Sequence, residues 1–154
     1  MTAAFLRSLC ILAPLLAVSM PAAAQVNAAS QQASRVLADK GITALADGDG
    51  PRARRLLEEA IVADPANARA LAQLGRYYQS HNQRDVARKY YQFALAVEPT
   101  EPDALLGAAK IDLADGKADG AKDKLRILRL SCPTCTQTAD LAAALNSTSP
   151  ANNP

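Results

Sequence analysis

Tryptophan is absent from the 154 residues, and tyrosine and phenylalanine together make up only 4%. That scarcity argues against a β-sandwich, whose strands favour aromatic and β-branched side chains. Histidine occurs once, at His81, and cysteine three times. So few imidazoles and thiolates leave little from which to build a metal centre. An excess of one charge is also missing. Lys and Arg number 17 against 15 Asp and Glu, a net charge of +2. Nucleic-acid-binding domains are usually far more basic. What the chain has in quantity is apolar residues, 49% of the total and mostly Ala and Leu. These are strong helix formers. The length suits one domain.

Residues 1–24 have the three parts of a secretory signal peptide. Arg7 supplies the positive end, Leu9 to Met20 the apolar run, and Ala22-Ala23-Ala24 the small residues before a cleavage site. Cleavage is expected after Ala24. The apolar run is too short to span a bilayer as a permanent helix. Cys10 lacks the lipobox context of an acylated cysteine. The mature chain, residues 25–154, is then expected in the periplasm or secreted. Cys132 and Cys135 are its only thiols.

The mature chain repeats with a period of 34. Pro65, Pro99 and Pro133 keep this spacing, each after Asp64, Glu98 or Cys132. Leu37, Leu71 and Leu105 form a second column. Gly41, Gly75 and Ala109 form a third, and Ala53, Ala87 and Ala121 a fourth. Leu57, Tyr91 and Leu125 align, as do Ala60, Ala94 and Leu128. Small columns mark close helix approaches, and large ones fill the space between. Each proline closes a helix, because the residue before proline disfavours the α conformation. Asn67 is a candidate N-cap. Polar turns at Asp47-Gly48-Asp49-Gly50, His81-Asn82-Gln83 and Asp115-Gly116-Lys117 divide each unit into two helices.

This pattern resembles the tetratricopeptide repeat (TPR) family. Leu71, Leu74, Gly75, Tyr78, Ala87, Tyr91, Ala94 and Pro99 fall at its signature positions. The resemblance implies an all-α, right-handed α-solenoid of three repeats (34–67, 68–101, 102–135). Residues 25–33 are expected to be an N-terminal extension, 136–146 a capping helix, and 147–154 a disordered tail. Repeat 1 departs from the pattern with Lys40 and Ala44, and repeat 3 has Asp112 where repeat 2 has Tyr78.

The resemblance also places the first helix of each repeat along a concave groove. It assigns to that groove Arg35, Asp39 and Ile42 from repeat 1, and Arg69, Gln73, Arg76 and Gln79 from repeat 2. Asp103, Leu106 and Lys110 come from repeat 3. Arg69, Gln73, Arg76 and Gln79 share one helical face. Arg69 and Arg76 are expected to pair with carboxylates of a bound peptide or acidic protein segment. The clamp by which one TPR subtype grips chaperone C-termini is missing, because its positions hold Ala38, Ile42, Gln73, Asp103 and Gly107.

Cys132 and Cys135 are expected to form a disulfide fixing the junction between repeat 3 and the cap. The alternative is a redox-active pair. Haem attachment needs a histidine where Thr136 stands, and no βαβ context supports thioredoxin-like chemistry. His81 reads as a solvated turn residue. Tyr78 and Tyr91 read as core, with Tyr77 and Tyr90 partly exposed. Asp47-Gly48-Asp49-Gly50 lacks the distant glutamate of a calcium loop. Glu58 and Glu59 are neighbours in sequence and splay apart on a helix. No catalytic constellation, cofactor or metal site emerges. The expectation is a non-enzymatic interaction scaffold with a protein or peptide partner and no nucleic acid. A homodimer through the apolar ends of the stack is a further option.

Overall fold

In the computed structural model, residues 22–148 are described. They form seven helices: α1 (Ala22–Ala46), α2 (Gly50–Ala63), α3 (Ala68–Ser80), α4 (Arg84–Val97), α5 (Pro102–Ala114), α6 (Ala118–Ser131) and α7 (Thr136–Thr148). The pairs α1–α2, α3–α4 and α5–α6 pack as hairpins, and α1, α3 and α5 stack side by side. The last helix packs on α5 and α6, so it continues the row of first helices. This is an all-α TPR solenoid. None of the described helices is long and apolar enough to cross a membrane.

Local chemistry accounts for the boundaries. Asp49 caps α2 by accepting the Arg52 amide at 3.1 Å, and Asn67 caps α3 through the Ala70 amide at 3.0 Å. Asp64 (φ −146°) and Glu98 (φ −132°) leave the helix in extended conformations, as a following proline requires. Cys132 also leaves the helical region, at φ −147° and ψ 71°. Inside each hairpin the turn uses a left-handed residue at one register position: Gly48 (φ 79°), Asn82 (φ 59°) and Gly116 (φ 75°). Glycine and asparagine are the residues that tolerate this region.

The core follows the repeat columns, but each repeat solves its packing differently. In repeat 1, Gly41 faces Leu57, and a Cβ there would come 2.8 Å from Leu57 Cγ. In repeat 2, Gly75 faces Tyr91 in the same way, at 2.7 Å. The Tyr91 ring is larger than the leucines in its column, and it reaches α5. There a Cβ on Gly107 would overlap the ring outright. Tyr91 is 1% exposed.

Three features depart from the sequence reading. Tyr78 is half-buried rather than core, and it stacks on Tyr90 with centroids 5.3 Å apart. Asp112 and Lys124 occupy the corresponding places in repeat 3, and there they form an ion pair at 2.6 Å. An aromatic pair is thus replaced by a charged one at the same site. The tail expected from residue 147 does not include Ser147 and Thr148, which are the last residues of α7. Their hydroxyls donate to the carbonyls of Ala144 and Leu145. Residues 149–154 lie outside the described residues. So does most of the expected leader, whose last three residues, Ala22 to Ala24, open α1. The extension expected at 25–33 is part of that same helix.

Lys40, at the register position of fully buried Leu74, is exposed on α1. Among the described residues no helix stacks on that side, so a charge there stays in water. Ala44, at the register position of Tyr78, is buried.

Candidate partner-binding groove

The row of first helices presents its side chains as a ladder, because each repeat advances the register by one period. Arg35, Arg69, Asp103 and Gln137 form one rung set. Ile42, Arg76, Lys110 and Ala144 form another, two turns further along each helix. Two contacts between neighbouring first helices follow a shorter offset, 30 instead of 34. Arg69 donates to Asp39 at 2.8 Å, and Gln73 Nε2 donates to Asp103 Oδ2 at 2.6 Å. The next rung would join Gly107 to Gln137, but glycine has no side chain. Gln137 Nε2 instead donates to Asp103 Oδ1 at 2.7 Å. Asp103 therefore spends both oxygens on amides.

Between α3, α5 and α7 the ladder forms an open cavity of about 550 Å³. Arg76, Gln79 and Ser80 line it from α3, and Asp103, Leu106, Gly107 and Lys110 from α5. Thr136, Gln137 and Asp140 form the wall on α7, and Tyr91 reaches in from α4. The Tyr91 hydroxyl donates to Gln79 Oε1 at 2.7 Å. Burial raises the Tyr91 phenol well above its ordinary pKa, with the Arg76 charge pulling the other way. A second hollow of about 370 Å³ adjoins the first and shares Gln79 and Lys110 with it.

The groove residues named from the sequence divide into three groups. Arg76, Gln79, Asp103, Leu106 and Lys110 line the cavity, whereas Ile42 does not. Asp39 and Arg69 satisfy each other on the exposed side of the ladder and lie outside the lining. Gln73 is buried and holds Asp103, and Arg35 is exposed on α1, also outside the lining. Arg69 is thus committed to an internal carboxylate, unlike Arg76. Among the described residues, neither Arg76 nor Lys110 forms an ion pair with a carboxylate. Arg76 NH1 makes a long contact to Gln73 Oε1 at 3.5 Å.

The α7 wall was missed from the sequence, although its signal was present. Gln137 and Asp140 stand one full period after Asp103 and Leu106, which makes α7 a fourth first helix rather than only a cover. It is also a cover: Leu141 is fully buried with Leu105, Leu125 and Leu128. The four tyrosines share core contacts but do not line one site, although Tyr78 and Tyr90 pack against the cluster that contains Tyr91. Tyr91 faces the groove cavity, whereas Tyr77, Tyr78 and Tyr90 pack against the cluster containing Leu57 and Leu74. His81 is exposed at the turn, its ring 4.2 Å from that of Tyr77.

Cys132 ends α6 and Cys135 precedes α7. Their Cα atoms are 5.4 Å apart with the sulfurs in bonding contact, a separation that a disulfide accommodates. Thr138 braces the same turn, donating its hydroxyl to the Cys132 carbonyl at 2.7 Å and its amide to the Cys135 carbonyl at 3.1 Å.

No protein-family model matches the chain. A curated relative, cellulose synthase operon protein C of Xanthomonas axonopodis pv. citri, is 33% identical over 96 residues, covering 58% of this chain. The chain spans only 6% of that relative's length. The Arabidopsis OM64 TPR domain superposes with a TM-score of 0.65 at 18% identity, covering 77% of this chain and 98% of its own. The Yersinia enterocolitica type III secretion chaperone SycD, in complex with a peptide of the translocator YopD, gives a TM-score of 0.60 at 20% identity. That match covers 74% of this chain and 87% of the chaperone. At these identities the solved structures establish the fold.

Proposed function

We propose that the chain is a non-enzymatic scaffold that holds a peptide or protein segment in the groove between α3, α5 and α7. The observation carrying this reading is the 550 Å³ cavity, whose two cations, Arg76 and Lys110, have no internal carboxylate among the described residues. Elsewhere in the molecule Arg69, Arg88 and Lys124 are each consumed by an aspartate. Exposed cations that line a hollow and are not committed to an internal carboxylate are free to pair with a carboxylate on a ligand. The SycD complex with a peptide is consistent with such use of this fold.

Export to the periplasm rests on the leader pattern of residues 1–24. In that oxidising setting Cys132 and Cys135 are proposed to be a structural disulfide. The hydrogen bonds of Thr138 brace the same turn, which fits a structural role for the bond.

Affinity capture from a native envelope extract tests the reading. The baits are the protein itself, a groove variant carrying Arg76→Glu and Lys110→Glu, and an outer-face control carrying Arg55→Glu. A partner kept by the protein and the control but lost by the groove variant supports a groove-binding scaffold. Equal retention by all three refutes it, and recovery of the protein alone points to self-association.

A further inference from the structure

Charge is not spread evenly over the groove. In the rung set nearest the start of the first helices, Arg69 and Asp103 already have internal partners, while Arg35 stays exposed. Arg69 is held by Asp39, and Asp103 by Gln73 and Gln137. Two turns further on, Arg76 and Lys110 stand at the same register position on adjacent helices, flanked in their column by Ile42 and Ala144. Both are exposed, and both line the same cavity over Leu106 and Gly107. Asp140 is the carboxylate that faces them from α7. Its offset from Lys110 is the one that joins Arg69 to Asp39 and Gln73 to Asp103, yet Asp140 and Lys110 form no ion pair.

From this we infer a directional carboxylate site that deepens the scaffold reading and rests on it. A bound segment presents an acidic side chain to Arg76 and Lys110 while Leu106 takes an apolar neighbour. Asp140 repels a second acid on the α7 side and favours a basic residue there. The site therefore sorts segments by charge order as well as by charge. It lies at Arg76 and Lys110, not at the clamp positions occupied here by Ala38, Ile42, Gln73, Asp103 and Gly107. Aspartate and glycine at two of those positions could not grip a carboxylate.

The site is tested by NMR titration of the isotope-labelled protein with three acetylated, amidated octapeptides. Each alternates leucine with glutamate, glutamine or lysine. The glutamate peptide is expected to shift amides around Arg76, Gly107 and Lys110. It should bind about fivefold or more tightly than the glutamine peptide, the factor that about 1 kcal/mol represents. The variant carrying Arg76→Glu and Lys110→Glu should invert the order and prefer the lysine peptide. Asp140→Asn should strengthen glutamate binding. Groove shifts that are equal for glutamate and glutamine overturn the carboxylate site while leaving the groove reading intact. Shifts outside the groove, or none with any peptide, overturn both.

Discussion

Replacing Gly107 with alanine is expected to destabilise the protein, although the substitution is helix-favouring. Gly107 lies inside α5, where alanine is preferred to glycine by about 1 kcal/mol. Against this gain stands the Tyr91 ring, into which a new Cβ would project. The ring has little room to yield, because it is 1% exposed, abuts Gly75 on its other side, and donates its hydroxyl to Gln79. Overpacking of this kind costs roughly 1–3 kcal/mol, and the depth of the overlap places this case near the upper end. The net effect of Gly107→Ala is then a loss of about 2 kcal/mol. Tyr91→Leu, which installs the residue found at this position in repeats 1 and 3, removes the clash. In that background Gly107→Ala should stabilise by about 1 kcal/mol. The coupling in the double-mutant cycle is therefore about 3 kcal/mol. Urea unfolding followed by far-ultraviolet circular dichroism measures all four proteins. If Gly107→Ala stabilises equally with tyrosine or leucine at position 91, the ring does not set the spacing between α3 and α5, and the packing argument fails.

Asp112→Asn should cost about 1–3 kcal/mol, because it leaves Lys124 without its recessed partner, while Arg88 keeps Asp115; replacing Asp112 and Lys124 together by leucine should recover most of that loss. No loss in the single variant would mean that the pair is already screened. Ser34→Ala should cost about 1–3 kcal/mol, since the fully buried Ser34 hydroxyl donates to the Ala60 carbonyl and accepts from Asn67 Nδ2; a change under a few tenths in thermal or urea unfolding would contradict this. Burial, with help from the Asp103 charge, raises the Glu101 carboxyl above its ordinary value. The folded state then binds that proton more tightly than the unfolded state, so stability contributed by the protonated group is lost as pH rises from the ordinary carboxylate range through the folded value. Glu101→Gln should accordingly stabilise at pH 7, with the advantage shrinking on acidification below the folded value; a pH-independent difference in urea midpoints would show that ionisation is not the cause.

The helices were legible because the features that define them are short-range and repeated. Proline after an acid or cysteine ends each second helix. The turn position shared by Gly48, Asn82 and Gly116 carries residues suited to a left-handed backbone. Column-by-column comparison was less informative wherever a repeat changed its chemistry. Asp112 looked like a defect when aligned with Tyr78. It is half of a compensated exchange, since Lys124 replaces Tyr90 at the facing position. The polar thread from Ala60 through Ser34 to Asn67 joins three elements and leaves no trace in the repeat period, because Ser34 aligns with Ala68 and Pro102.

The groove was harder to read than the fold because its chemistry follows a second period. Stacking equivalent positions uses an offset of 34, but the Arg69–Asp39 and Gln73–Asp103 contacts between adjacent first helices use an offset of 30. Arg69 and Arg76 look alike under the first rule. Under the second, Arg69 meets Asp39, whereas Arg76 meets Ala46 on one side and Leu106 on the other. One arginine therefore has an acid partner and the other does not. Applied to Asp103, the same rule finds Gln73, which the structure bonds to it. Applied to Gly107, it finds Gln137 with nothing to meet, and Gln137 turns back to Asp103. Reversing one assignment tests the rule directly. Asp39→Ala should release Arg69 into the groove at little cost in stability, because both side chains of that pair are more than half exposed. The glutamate octapeptide should then also perturb amides near Arg69. If those amides stay still, the Asp39 pairing is not what keeps Arg69 out of the site.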